Sequence, residues 1–322
     1  MSSKCSILVI GDLIIDETWY VHVSRKNPEA PAITADFLSK EPSSISLGGA
    51  GFAAQLAAKQ GHDVTLFSFL SPIAKKILND SRLNISNTLW FSKEIDLNIT
   101  KTRFIDNQQG YHVFRTDNDN LVSPPWPQSS FPVDYVIAKI DNAIRKGISF
   151  DLCLLSDYVK GFFSGNGWRT LLKFLSDKRI LSVLDSKSLG LFPWQQPQVD
   201  HDVWIKLNDN EFDHFKKTFG IRKKEPSPKE IFETTNITNK FVITHGKNGA
   251  SIYKKDDTGY FLNTALPEIK SNRIVDPTGC GDIFDIKFLL ENYQNVKEEE
   301  ALRRAVNYAS HFAQIPMESK FL

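Results

Sequence analysis

The stretch Asp276-Pro277-Thr278-Gly279-Cys280-Gly281-Asp282 holds the chain's densest set of groups able to act on a substrate, and it runs into a helical-looking segment from Ile283 to Leu290 and Tyr293. Two glycines at the opening of a helix leave backbone N–H groups unobstructed and aimed at one point, where the helix dipole adds partial positive charge. The expected product is an anion pocket. A carboxylate at Asp282, in the first turn, would be kept ionised by the same dipole and could take a proton from a hydroxyl beside the anion. The plainer alternative is a glycine-rich turn followed by an ordinary first-turn Asp. A second cluster, Gly48-Gly49-Ala50-Gly51, leads into Ala53 to Lys59. Its Gly49-x-Gly51-x-x-Ala54 spacing imitates a dinucleotide fingerprint, but the next strand-like run, Val64 to Leu70, ends in Ser71-Pro72 rather than an acid for a ribose. A close-packed helix start, or backbone approaching a small polar ligand, explains it as well. A third group, Asn208-Asp209-Asn210-Glu211, follows Val203 to Leu207. Its spacing fits a capped helix start with a first-turn acid, or a water-mediated magnesium site. Walker A, HExxH and GxSxG patterns are absent, which disfavours P-loop NTPases, zincins and α/β-hydrolases.

The elements that must position these groups follow from alternation of short apolar runs with segments of helical period, the pattern of an α/β protein with a mostly parallel sheet. Four runs read as buried central strands: Ile7 to Ile10, Leu152 to Leu155, Ile180 to Leu184 and Phe241 to Thr244. The first three end at Asp12, Asp157 and Asp185, beyond the carboxyl ends of strands, where open α/β sheets bind ligands. Asp capping a following turn is the competing explanation. Helical spacing is best in Val133 to Lys146, Trp168 to Ser176, Asn210 to Phe219 and Glu298 to Phe312. Two regions break the pattern. Trp19 to Val23, Ala32 to Leu38 and Ser43 to Leu47 are strand-like runs separated by Pro, Asn and Ser, and Thr100 to Ile105 with Tyr111 to Arg115 flank Asn107-Gln108-Gln109-Gly110. Hairpin connections make antiparallel pairs, so these segments are expected to form a small antiparallel lid, at about 17–47 and 99–116, inserted into one large domain spanning 1–322.

The 322 residues suffice for a sizeable core, and 41% apolar with 24% charged residues describes a packed globular chain. A net charge of +1 offers nothing to draw nucleic acid or an anionic membrane. Cys5, Cys153 and Cys280 are far apart and odd in number, with no zinc-ligand spacing, which suits a reducing compartment without a structural metal. The apolar run before Gly11 and Asp12 is too short for a signal peptide, so the expected location is the cytoplasm.

Together these residues resemble the ribokinase-like (PfkB) carbohydrate kinases, whose signature is similar to Asp276 to Asp282, and within that family the heptose 7-phosphate kinases. The nearer likeness is carried by Gly11-Asp12-Leu13-Ile14-Ile15-Asp16, by Ser24-Arg25-Lys26-Asn27-Pro28-Glu29-Ala30-Pro31, by Thr100 to Arg103 with Asn107 to Gln109, and by Leu155-Ser156-Asp157-Tyr158-Val159-Lys160-Gly161. It runs in order over nearly the whole chain. The resemblance implies a central, mostly parallel sheet flanked by helices, a β lid that often forms a dimer interface, and ATP-dependent phosphorylation of a sugar or sugar phosphate on the way to a nucleotide sugar. It implies Asp282 as base and the backbone of Gly279, Cys280 and Gly281 as anion hole. Asn208 and Glu211 fall on the motif that organises Mg²⁺ through water and phosphates. Thr244, Gly246 and Gly249 fall on the nucleotide-side turn, and Asn307 on a helix near adenine. Asp12, Asp16, Gly48 and Gly49 match sugar-side positions, and Arg25, Arg103, Lys160 and Lys187 are candidates for charged ends of substrate or nucleotide.

Several positions depart from that pattern. Gly51-Phe52 stand where the family has Ala-Asn, so an aromatic ring replaces a sugar-binding amide. Asp285 and Lys287 stand where small residues are usual, Asp185-Ser186-Lys187 replaces Asp-Pro-Lys, and Lys206-Leu207-Asn208 replaces Thr-Pro-Asn. The sequence ends soon after the last helix, so no adenylyltransferase half is expected. A kinase-like binding or regulatory protein with an altered sugar pocket is the alternative function.

Overall fold

The computed structural model describes residues 4–26, 32–69, 71–80, 85–90, 99–118, 133–163, 167–187, 203–235, 237–238, 240–268, 276–315 and 320. Asn27 to Pro31 of the Ser24–Pro31 string, and the side chain of Arg25, lie outside what is described. The apolar runs become β1 (Ser6–Gly11), β5 (Asp63–Ser68), β9 (Leu152–Asp157), β10 (Leu181–Ser186), β11 (Val203–Asn208) and β12 (Lys240–Thr244). With β6 (Ile85–Trp90) and the hairpin β13 (Ala250–Asp256) and β14 (Gly259–Ala265), they make a nine-stranded sheet in the order β14-β13-β12-β11-β10-β9-β1-β5-β6. It is parallel from β12 to β6 and antiparallel only at the hairpin edge. Strands buried on both faces lose the alternation of a half-exposed strand, which is why Leu8, Val9 and Ile10 read as one continuous apolar run. The β13–β14 edge carries mixed polar and apolar residues and escaped the sequence reading for that reason.

Helices cover both faces. On one side α3 (Val133–Arg145), α4 (Gly167–Asp177), α5 (Asp209–Thr218) and α6 (Pro228–Thr235) bury Val136, Ile140, Leu171, Leu172, Phe212 and Ile231. On the other, α1 (Ala50–Lys59), α2 (Pro72–Asp80), α7 (Cys280–Tyr293) and α8 (Glu298–Phe312) bury Ala54, Ala57, Ala74, Phe288 and Leu302. Each fully buried large side chain contributes roughly 1.5–3 kcal/mol. The alanines of α1 let it lie close on the sheet, so its N-terminus reaches the carboxyl ends of the strands. No helix among the described residues is long and apolar enough to cross a membrane.

The lid is a second sheet, ordered β3-β2-β7-β8 with β4 also on β2. It contains β2 (Leu13–Lys26), β3 (Ile33–Phe37), β4 (Ser44–Gly49), β7 (Thr100–Asp106) and β8 (His112–Asp117). Two features differ from expectation. β2 is one long strand that starts at Leu13, because Ile14 and Ile15 pair with Gly48 and Leu47 before the chain leaves the core. β2 and β7 pair in parallel, whereas β2–β3, β2–β4 and β7–β8 are antiparallel. Each hairpin is antiparallel within itself; the seam between the two segments joins strands from different parts of the chain, and no turn sets its direction.

Side chains in a strand alternate between faces, so registered partners share one. Asp16, Lys101 and Arg103 lie on the inner face, and Trp19, Phe37, Phe104 and Phe114 on the outer one. The outer rings form a row: Trp19–Phe37 centroids are 5.0 Å apart, Phe37–Phe104 5.9 Å and Phe104–Phe114 4.2 Å.

Candidate active site

Several of the predicted site residues, among them Asp185, Lys187, Asn208, Glu211 and Asp282, gather at the carboxyl ends of the parallel strands near the α7 N-terminus. Gly279 is the N-cap of α7 in left-handed conformation (φ 78°). A Cβ there would come within 2.2 Å of the Phe52 ring, so glycine is required twice over. The first α7 bond runs from Ile283 N–H to the Gly279 carbonyl. Among the described residues no bond within the chain takes up the amides of Gly281 and Asp282, the expected state of first-turn donors. Cys280 differs: its N–H donates to the Pro277 carbonyl at 3.1 Å, which commits it to the turn rather than to an anion. Its thiol faces the Ala309 carbonyl at 3.6 Å, and burial pushes it up to about 11. The anion-facing donors are therefore narrower than the Gly279-Cys280-Gly281 set read from sequence.

Asp282 is buried, and the Tyr158 hydroxyl donates to its Oδ1 at 3.4 Å. Burial and then the nearby Asp185 carboxylate push its pKa up to about 7, against the pull of Lys206, Lys187 and Tyr158. This corrects the expectation of a carboxylate held ionised by the helix dipole: desolvation of a buried charge outweighs a partial charge at the helix end. Beneath it lies a charge cluster. Lys206 Nζ donates to Asp185 Oδ2 at 2.8 Å, sits 3.8 Å from Asp285 Oδ2, and would lie 3.2 Å from a Cβ at Gly281. Burial opposes charge on Lys206, yet Asp185, Asp285 and Glu211 hold its pKa above the ordinary lysine range. Burial alone would raise Asp185, but Lys206 and Lys187 keep it low. Asp285, 1% exposed and with no hydrogen-bond partner for either oxygen among the described residues, is pushed well up by burial. The two departures Lys206 and Asp285 are thus spatial neighbours.

Asn208 and Glu211 form a capping box at the start of α5: Glu211 N–H donates to Asn208 Oδ1 at 3.0 Å, and Asn208 N–H to Glu211 Oε2 at 2.8 Å. Lys187 Nζ bonds Glu211 Oε1, lies 3.6 Å from Asp185 Oδ1 and stacks 5.5 Å from the Tyr158 ring centre. From the lid, Lys101 reaches the same ring at 5.4 Å. Among the described residues no group of three or more His, Cys, Asp or Glu side chains could hold a metal ion. With Glu211 bound to an amide and to Lys187, this donor set fits Mg²⁺ only through water and nucleotide phosphates.

On the inner face of the lid, Asp16 Oδ1 bonds Arg103 Nη1 at 2.6 Å, both being largely buried. A Cβ at Gly48 would stand 2.2 Å from Asp16 Oδ2, so Gly48 makes room for that carboxylate. The Gly49 N-cap lets Ala50 N–H reach the Asp12 carbonyl at 2.9 Å. Asp12 has a different task from the one expected. Its carboxylate accepts from the amides of Tyr158 (2.8 Å), Lys160 (3.0 Å) and Phe162 (2.9 Å), so it shapes the loop after β9 and is 1% exposed. Burial and Asp157 push it up to about 7 against those three bonds. The structure ties Lys160 to the site through its backbone. Phe52, read from sequence as an intruder in the sugar pocket, is 2% exposed and packs with Phe312, Leu56 and Ile283.

At the ends of β11 and β12, Thr244 is registered with Asn208. Gly246 and Gly249 close the turn that follows, where a Cβ on Gly249 would stand 2.0 Å from the Ala265 carbonyl. Asn307 Oδ1 accepts from Glu268 N–H at 2.9 Å, just beyond β14. Lys101, Tyr158 and Lys206 were not singled out as site residues in the sequence; the Ser-Asp-Tyr-x-Lys-Gly string was the available signal for Tyr158.

Residues 168–316 match the family model described as pfkB family carbohydrate kinase. "Bifunctional protein HldE" of Bradyrhizobium diazoefficiens is 24% identical over 293 residues, covering 86% of this chain and 53% of that protein. The protein of the same name from Marinomonas sp. is 26% identical over 288 residues, with coverages of 86% and 53%. The chain spans about half the length of these curated relatives. Arabidopsis thaliana ribokinase complexed with ribose and ATP superposes with a TM-score of 0.61 at 15% identity, over 97% of this chain and 94% of that one. Escherichia coli phosphofructokinase-2 in complex with fructose-6-phosphate gives 0.65 at 15% identity, over 100% and 97%. The fold is ribokinase-like. The segment at 168–316 is similar to the PfkB carbohydrate kinases.

Proposed function

We propose that this protein transfers the γ-phosphoryl group of ATP to a sugar hydroxyl, with D-glycero-β-D-manno-heptose 7-phosphate as the acceptor and the 1,7-bisphosphate as product. The observation that carries this reading is Asp282, a buried carboxyl with a pKa of about 7, next to unoccupied first-turn amides of α7. A base with that pKa is largely ionised just above neutrality and gains by taking up the proton of the acceptor hydroxyl. The hydroxyl oxygen then bonds to phosphorus, ADP leaves, and the charge gathering on the phosphoryl oxygens meets amide dipoles and the Lys206 and Lys187 ammonium groups. Mg²⁺, when held by the nucleotide phosphates and water near Asn208 and Glu211, supplies further neutralisation.

The heptose phosphate acceptor rests on the strings at 24–31 and 156–161 and on the relatives at about a quarter identity. Lys101 and Arg103 on the inner lid face favour an acceptor with a phosphate of its own. The lid excludes water, which would otherwise compete for the phosphoryl group. Its outer face exposes Ile33, Phe37, Ile45 and Phe114, and we assign this patch to a second copy of the chain, in a protein working in the cytoplasm. A coupled ADP-release assay across heptose 7-phosphate, unphosphorylated heptoses and common hexoses tests the reading, with turnover expected to be greatest on heptose 7-phosphate. No turnover on any of them, with ATP still raising the melting temperature, would favour a kinase-like binding protein.

A further inference from the structure

Lys320 lies far along the chain from the turn at 276–278, yet its ammonium group is bonded to that turn's backbone. Its side chain has no solvent exposure. Nζ donates to the carbonyls of Asp276 and Thr278, both at 2.7 Å, lies 3.9 Å from Asp276 Oδ2, and sits 4.6 Å from the centre of the Phe312 ring. The two carbonyls, the carboxylate and the aromatic face offset part of the cost of burying this ammonium; burial still lowers its pKa from the ordinary lysine value, against the pull of Asp276. The same turn is braced by Thr278 N–H to Asp276 Oδ1 at 2.8 Å and by Asp276 N–H to the Ala313 carbonyl at 3.1 Å.

The consequence lies in peptide geometry. In a planar trans peptide the carbonyl and the following N–H point in opposite directions. Holding the Thr278 carbonyl toward Lys320 therefore turns the Gly279 N–H to the far side, away from the ammonium group. A charged donor on that carbonyl also polarises the peptide and strengthens its N–H as a donor. A second route reaches the same residue: Lys320 packs on Phe312, whose ring contacts Phe52 at a centroid distance of 6.4 Å, and Phe52 abuts Gly279.

We propose that Lys320 is a positioning residue, a tethered internal cation that orients and strengthens the Gly279 amide toward the transferred phosphoryl group. This rests on the kinase reading above. Its mark is that a small free cation can do the work of the missing side chain. Lys320→Ala is expected to lower kcat by about 10–100-fold while KM for the sugar changes far less, because a misplaced donor acts mainly in the transition state. Millimolar ammonium or methylammonium should restore a substantial part of kcat in the alanine variant, tetramethylammonium should not, and the wild type should respond to none of them. Lys320→Met keeps the apolar stem and should show the same kcat loss with a melting temperature near wild type. Undiminished kcat in both variants overturns the proposal, as does a loss that tracks melting temperature and that ammonium does not relieve. Calorimetry with a non-hydrolysable ATP analogue is run on the same proteins. If wild type turns over no sugar, the kinase reading fails by itself, and weaker, ammonium-restored binding of the analogue in Lys320→Ala then decides for or against the clamp.

Discussion

At the scale of single residues, the proposed role of Asp282 as base ties rate and stability to one protonation. A base acts in its ionised form, so kcat/KM is expected to rise with pH through about 7 and then level off, read from initial rates between pH 5.5 and 9. Asp282→Asn should lower turnover by about 10²–10⁴-fold and leave ATP affinity largely intact. Stability should move the other way. The folded pKa near 7 lies above the ordinary 3.8, so the folded state holds a proton that the unfolded state has lost, and stability falls as pH rises across that interval. Asp282→Asn should therefore melt above wild type at pH 8, with the gap closing toward pH 4; equal melting temperatures at both pH values would contradict the burial argument. Asp282 and its glycine turn were legible in the sequence because they are adjacent along the chain. Lys206 with Asp285, and Asp12 with the loop amides at 158–162, were not, since strand order and not spacing brings them together.

At the scale of elements, Lys206 of β11 pairs with Asp185 of β10 and lies near Asp285 of α7. Removing one partner of a buried ion pair leaves an uncompensated charge, so Lys206→Ala should cost about 3–5 kcal/mol in chemical denaturation. The double change Lys206→Met with Asp185→Leu should recover much of that loss. Within the lid, β2 and β7 are joined by the pair Asp16–Arg103: Arg103→Ala frees Asp16 and should raise the sugar KM more than it lowers kcat, as steady-state kinetics would show. Most core elements were legible because doubly buried strands and one-sided helices have distinct periods. The parallel seam of β2 and β7 was not, because registry across distant segments leaves no local mark. Phe52 shows the same limit, since a ring facing a ligand and a ring facing the core look alike in a string of residues.

At the scale of the whole molecule, the outward aromatic row of the lid should decide the oligomeric state. Phe37→Asp with Phe114→Asp is expected to convert a dimer to a monomer in sedimentation velocity while leaving the body's melting temperature nearly unchanged; an unaltered sedimentation coefficient would place any dimer contact elsewhere. The parallel seam between β2 and β7 has another consequence. β2 is made early in synthesis and must wait for β7 before its second edge is filled, and the body of the molecule adds Asp282 later still. Pairings of such wide sequence separation form slowly and late. A nascent chain on the ribosome therefore cannot assemble the candidate site piecemeal: until β7 arrives, the early strand remains an open edge in need of protection from other chains.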